Sequence, residues 1–62
     1  MKIIITNFVT AVDETDPTKG NKTMYNVLVE KDGGAANYVF DVYGVAVKVS
    51  EVIWNHYMEE MK

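Results

Sequence analysis

The chain has 62 residues, of which 48% are hydrophobic and 24% charged, with a net charge of −3 and no cysteine. That length allows one small domain over 1–62, which buries only about 60% of the surface its unfolded form exposes and draws about 3–5 kcal/mol at most from its core. Disulfides and thiolate metal sites are excluded, which leaves a partner subunit as the remaining stabilising device.

Residues 2–12 read as a strand. Val and Ile are abundant throughout the chain while Leu28 is its single leucine, and β-branched side chains favour a pleated surface over a helix. One face of this strand carries Ile4, Thr6, Phe8, Thr10 and Val12. The other carries Ile3, Ile5, Asn7, Val9 and Ala11. Both faces are partly apolar, so the pattern does not choose the inward one. Met1-Lys2-Ile3-Ile4-Ile5 starts like a signal peptide, but its apolar run is too short and no small-residue cleavage site follows. The expectation is therefore a first strand in a cytoplasmic protein. No stretch reaches the roughly 18 apolar residues of a membrane span.

Residues 13–23 hold no strong hydrophobe but do hold the turn formers Pro17, Gly20 and Asn21. A flexible loop is expected there. Its carboxylates Asp13, Glu14 and Asp16 lack the spacing of a calcium loop, since Met24 stands where the twelfth-position glutamate would be.

Residues 24–31 and 36–42 form a hairpin about Asp32-Gly33, a dipeptide suited to the positive φ angles of a type I′ turn. This register sets Val29 opposite Ala36, Val27 opposite Tyr38 and Tyr25 opposite Phe40, all on one face. Met24, Leu28 and Val39 fall on the other with Asn26, Glu30, Asn37 and Asp41. Residues 45–49 alternate cleanly and are expected to add a fourth strand through a turn at Tyr43-Gly44. As a helix, this segment would extend the apolar arc past half the circumference, too wide for the surface helix of a monomer. A bent strand with a bulge at Gly44 is the alternative. Residues 51–61 read as a helix with Ser50 as N-cap and with Glu51 and Lys62 placed to suit the macrodipole. Trp54, Tyr57, Met58 and Met61 lie at i, i+3, i+4 and i+7. The expected fold is α+β: an antiparallel meander of three or four strands with one C-terminal helix packed on a face.

No catalytic constellation emerges. His56 is the only histidine, with Glu59 and Glu60 at helical spacing but no nucleophile beside it. One His and one Glu are too few for a zinc site. Gly20, Gly33, Gly34 and Gly44 form no phosphate-binding motif. Neither an enzyme nor a cofactor is expected. All six cations are lysine and the net negative charge lies wholly in residues 32–62, which argues against duplex DNA as partner. Tyr25, Tyr38 and Phe40 could stack single-stranded bases, which keeps a single-stranded nucleic-acid platform as the alternative function. The leading expectation is a non-catalytic protein-interaction module that self-associates or binds another protein, in the manner of small accessory or inhibitory proteins of phages and mobile elements. The residues expected at its interface are Trp54, Met58, Met61, Met24, Leu28 and Val39, because large apolar groups and Met are favoured at interfaces.

Overall fold

A computed structural model describes residues 1–61. Three antiparallel strands form one open sheet in the order β1 (Lys2–Ala11), β2 (Asn21–Lys31) and β3 (Gly34–Phe40), and a single helix α1 (Tyr43–Glu60) follows. The arrangement is α+β, as expected.

The hairpin register is the one the alternation predicts: Tyr25 pairs with Phe40, Val27 with Tyr38 and Val29 with Ala36. Its turn needs two residues at positive φ and has them, Asp32 at 52° and Gly33 at 81°. Asp tolerates this left-handed conformation better than most residues, and Gly accepts it without penalty. The first hairpin pairs Ile3 with Val29, Ile5 with Val27 and Asn7 with Tyr25. Residues opposite one another share a face. Ile3 and Ile5 therefore join the face of Val27, which decides the inward side of β1.

The expected fourth strand does not form. Residues 45–49 lie in α1, which begins at Tyr43 rather than at 51, with neither a turn nor a bulge at Gly44. A primed turn would force Tyr43 to positive φ at a steric cost. The helix avoids this cost and places Ala46, Ser50, Ile53 and Tyr57 on one stripe at i, i+4, i+7 and i+11. The Ser50 cap is overturned as well. Ser50 sits mid-helix, and its hydroxyl donates to the Ala46 carbonyl at 2.8 Å. The helix starts instead from extended Val42, which makes no side-chain cap. Its carbonyl accepts from the Val45 and Ala46 N–H groups at 3.1 and 3.2 Å. Lys62, expected to complement the helix C-terminus, lies outside the described residues.

The helix runs antiparallel to β3 and alongside β2. Its first residue packs on the sheet through the Tyr43 and Tyr25 rings, 5.3 Å apart and tilted by 57°. Near its far end Lys31 Nζ stands 5.2 Å from the centre of the Tyr57 ring and 3.2 Å from Glu60 Oε2. The lengths agree: from Tyr43 to Tyr57 a helix rises about 21 Å, and from Tyr25 to Lys31 a strand covers about 20 Å. Between these two attachments the core is thin. Among the described residues Val27 and Ala46 are the fully buried hydrophobic ones.

Beyond the Asn7–Tyr25 pair, β1 and β2 continue with neither β3 nor the helix beside them. Residues 8–24 thus make a two-stranded ribbon, closed by the Val12 N–H donating to the Gly20 carbonyl at 3.0 Å. Its tip is held by short local bonds. The Thr15 N–H and hydroxyl donate to Asp13 Oδ1 at 2.9 and 2.6 Å, Lys19 donates to Asp13 Oδ2 at 3.3 Å, and Asp16 caps the 3-10 turn Pro17–Lys19 through Thr18 N–H. The ribbon stretches the molecule to 52 × 24 × 13 Å.

Candidate interaction surfaces

The six residues expected at an interface fall on two surfaces. Val27 and Tyr25 face the helix, so by alternation Met24, Leu28 and Val39 lie on the far side of the sheet. There Leu28 pairs with Ile4 and Met24 with Phe8. Among the described residues no element covers this face. It is not uniformly apolar: Asn26 Nδ2 donates to Asn37 Oδ1 at 3.2 Å across its middle, and Thr6 and Thr10 share it. Antiparallel sheets commonly leave such a mixed face in water.

Trp54, Met58 and Met61 lie on the helix side, and all three are exposed. The stripe that contacts the sheet is rotated from them, through Ala46, Ile53 and Tyr57, so Trp54 and Met58 overhang the β1 side. Ile3, Ile5, Ser50, Glu51, Trp54 and Asn55 line a groove of about 450 Å³ there, open to solvent, beside the free edge of β1. Trp54 is steadied by the Tyr57 ring, 6.0 Å away. On the opposite flank of the helix Val45 and Val52 are also exposed. Apolar side chains thus spread over about 240° of the helix, from Val52 through Ala46 to Met58, with His56, Glu60 and Ser50 among them.

Sequence reasoning missed two parts of this surface. Val45 and Val52 were hidden by reading 45–49 as a strand, although their i, i+7 spacing marks one helical face. Phe8, Val9 and Val12 on the ribbon are exposed, with Val9 at 66%. The signal for them was the length of β1 and β2 relative to β3, legible only once strand ends are known.

The candidates for chemistry stay apart. His56 Nε2 is 3.1 Å from Glu60 Oε1, but the imidazole projects into solvent. The Lys31 hydrogen bond, then the Lys31 charge, then His56 hold the Glu60 carboxyl below its ordinary value. The Asp13 carboxyl is lowered likewise, first by the Thr15 hydroxyl, then by the Thr15 N–H and Lys19. Both pairs are surface contacts that hold local structure. Among the described residues no group of three His, Cys, Asp or Glu side chains is placed to hold a metal ion. Tyr25 and Phe40 are half-buried on the helix side, while Tyr38 is exposed at its edge. No helix among the described residues is long and apolar enough to cross a membrane. No family model, curated protein or solved structure matches the chain.

Proposed function

We propose that this chain is a non-catalytic interaction module that works as a homo-oligomer, in a cytoplasmic setting that agrees with its lack of cysteine. The observation that carries this reading is surplus surface. A compact monomer of 7.0 kDa exposes roughly 4,000 Å², and this chain exposes 4675 Å². A compact chain of this length has a radius of gyration of about 10.6 Å, and here it is 14.6 Å. The excess of about 700 Å² approaches the share of one partner, about 800 Å², in a standard interface. The wide apolar arc of α1 supports the same reading. A lone surface helix needs only one apolar stripe.

The test is sedimentation equilibrium from micromolar to millimolar chain. Twice the monomer mass at the upper end is expected, with an unfolding midpoint that rises with concentration. A single 7.0 kDa species throughout, with a concentration-independent midpoint, refutes the proposal.

A further inference from the structure

We propose that two copies join edge to edge through β1, about a two-fold axis at Thr6, to make one six-stranded sheet. This pairing rests on the self-association proposed above and specifies its geometry.

Among the described residues nothing pairs with the outer edge of β1 along its ten residues, because the strand order leaves it at the margin of the sheet. Natural edges are blunted by proline, bulges, inward charges or short length. This one, Lys2–Ala11, has no proline and a single charge at its end, and its pairing with β2 runs without a bulge from Lys2 to Ala11. Its backbone groups are therefore a template for another strand.

A two-fold axis normal to the sheet keeps both helices on one face, so only residues of the same parity can oppose each other. Centred on Thr6, the pairing sets Ile3 against the second copy's Val9, Ile4 against its Phe8, Ile5 against its Asn7 and Lys2 against its Thr10. Nine residues overlap; Ile3 meets Val9 on the helix face and Ile4 meets Phe8 on the other, while Ile5 faces Asn7. Two separate features of the single chain are accounted for together. The ribbon 8–24 has only two strands, an arrangement that is marginal in water, and it gains a third. The groove beside Ile3, Ile5 and Trp54 is open at the β1 edge, and the second copy's Val9 enters it. Because the strands run antiparallel, each helix lies beside the other copy's ribbon rather than against the other helix.

Three single variants, all at exposed positions, test the pairing. In Thr6→Cys the two symmetry-related Cα atoms would stand about 4.5–5.5 Å apart, within disulfide reach. Mild oxidation should convert most of the chain to a covalent dimer on a non-reducing gel. Asn37→Cys, at the other free edge, should not cross-link. Val9→Lys should keep the wild-type circular dichroism and weaken the dimer at least tenfold in sedimentation. Cross-linking through Asn37→Cys, or a dimer indifferent to Val9→Lys, overturns the pairing. A dimer mass without cross-linking in Thr6→Cys also overturns it and leaves self-association standing. A monomer at every concentration overturns both.

Discussion

Val27 is the central strand's one fully buried side chain, flanked across the sheet by Ile5 and Tyr38. Replacing it with alanine removes two methyl groups, worth about 1.6 kcal/mol at roughly 0.8 kcal/mol each. The void adds to this. At ~24 cal/mol per Å³, a residual cavity of roughly 25–50 Å³ costs ~0.6–1.2 kcal/mol more. The expected loss is about 2–3 kcal/mol, against a total of about 3–5 kcal/mol for a domain of this size. Val27→Ala should therefore lose about half its stability. The assay is urea unfolding followed by Trp54 fluorescence and far-ultraviolet circular dichroism. Protein concentration must be held fixed, because association adds to apparent stability. Val52→Ala is the control. Val52 is exposed on the helix flank, and alanine there should be neutral or stabilising by up to about 0.5 kcal/mol through helix propensity. A Val27→Ala loss below about 0.5 kcal/mol, or one equal to that of Val52→Ala, would refute the placement of the core between sheet and helix.

Ser50 and Gly44 test the helix start by sign. As an N-cap, Ser50→Ala would cost about 1 kcal/mol; at its mid-helix position the change should be neutral or stabilising by up to about 0.5 kcal/mol in thermal unfolding. Gly44 lies in the first turn with open space where a Cβ would stand, so Gly44→Ala should stabilise by about 0.5–1 kcal/mol, where a tight strand turn would be harmed. Gly33→Ala should destabilise by about 1–2 kcal/mol in the same measurement, since its φ of 81° suits glycine alone. The carboxyls of Glu60 and Asp13 should titrate below their ordinary values in a ¹³C NMR series. A lowered carboxyl contributes stability that is fully present above the ordinary value and lost as pH falls through the lowered one. The stability that the Lys31–Glu60 pair contributes should therefore be lost only as pH falls through the lowered Glu60 value, and in Lys31→Ala the Glu60 midpoint should return toward the ordinary value.

The hairpin shows what can be read from local pattern. Its turn demanded Asp32-Gly33, and a two-residue turn leaves one register in which Val27 and Tyr38 share a face. Residues 45–49 show the limit of that reading. Val-Ala-Val-Lys-Val alternates as a strand does, yet Ala46 is fully buried on a helix face completed by Ser50, Ile53 and Tyr57. An apolar arc wider than half the circumference argues against a helix there, yet α1 forms with that arc and leaves Val45, Val52, Trp54 and Met58 exposed. The expected interface set was divided as well. Met24, Leu28 and Val39 are separated from Trp54, Met58 and Met61 by the sheet itself, and sequence order carries no record of that wall.

By itself, the sequence determined the elements whose physics is local: the β-branched first strand, the Asp32-Gly33 turn, the pairing of β2 with β3, and the C-terminal helical periodicity from Trp54 onward. Only the tertiary structure decided where the helix begins, which side of β1 faces it, and that β1 and β2 outrun both neighbours to leave a two-stranded ribbon. A turn is chosen by the φ angles of its own two residues. The start of a helix is chosen by the surface it must cover, and an exposed strand edge exists only by contrast with edges that are paired.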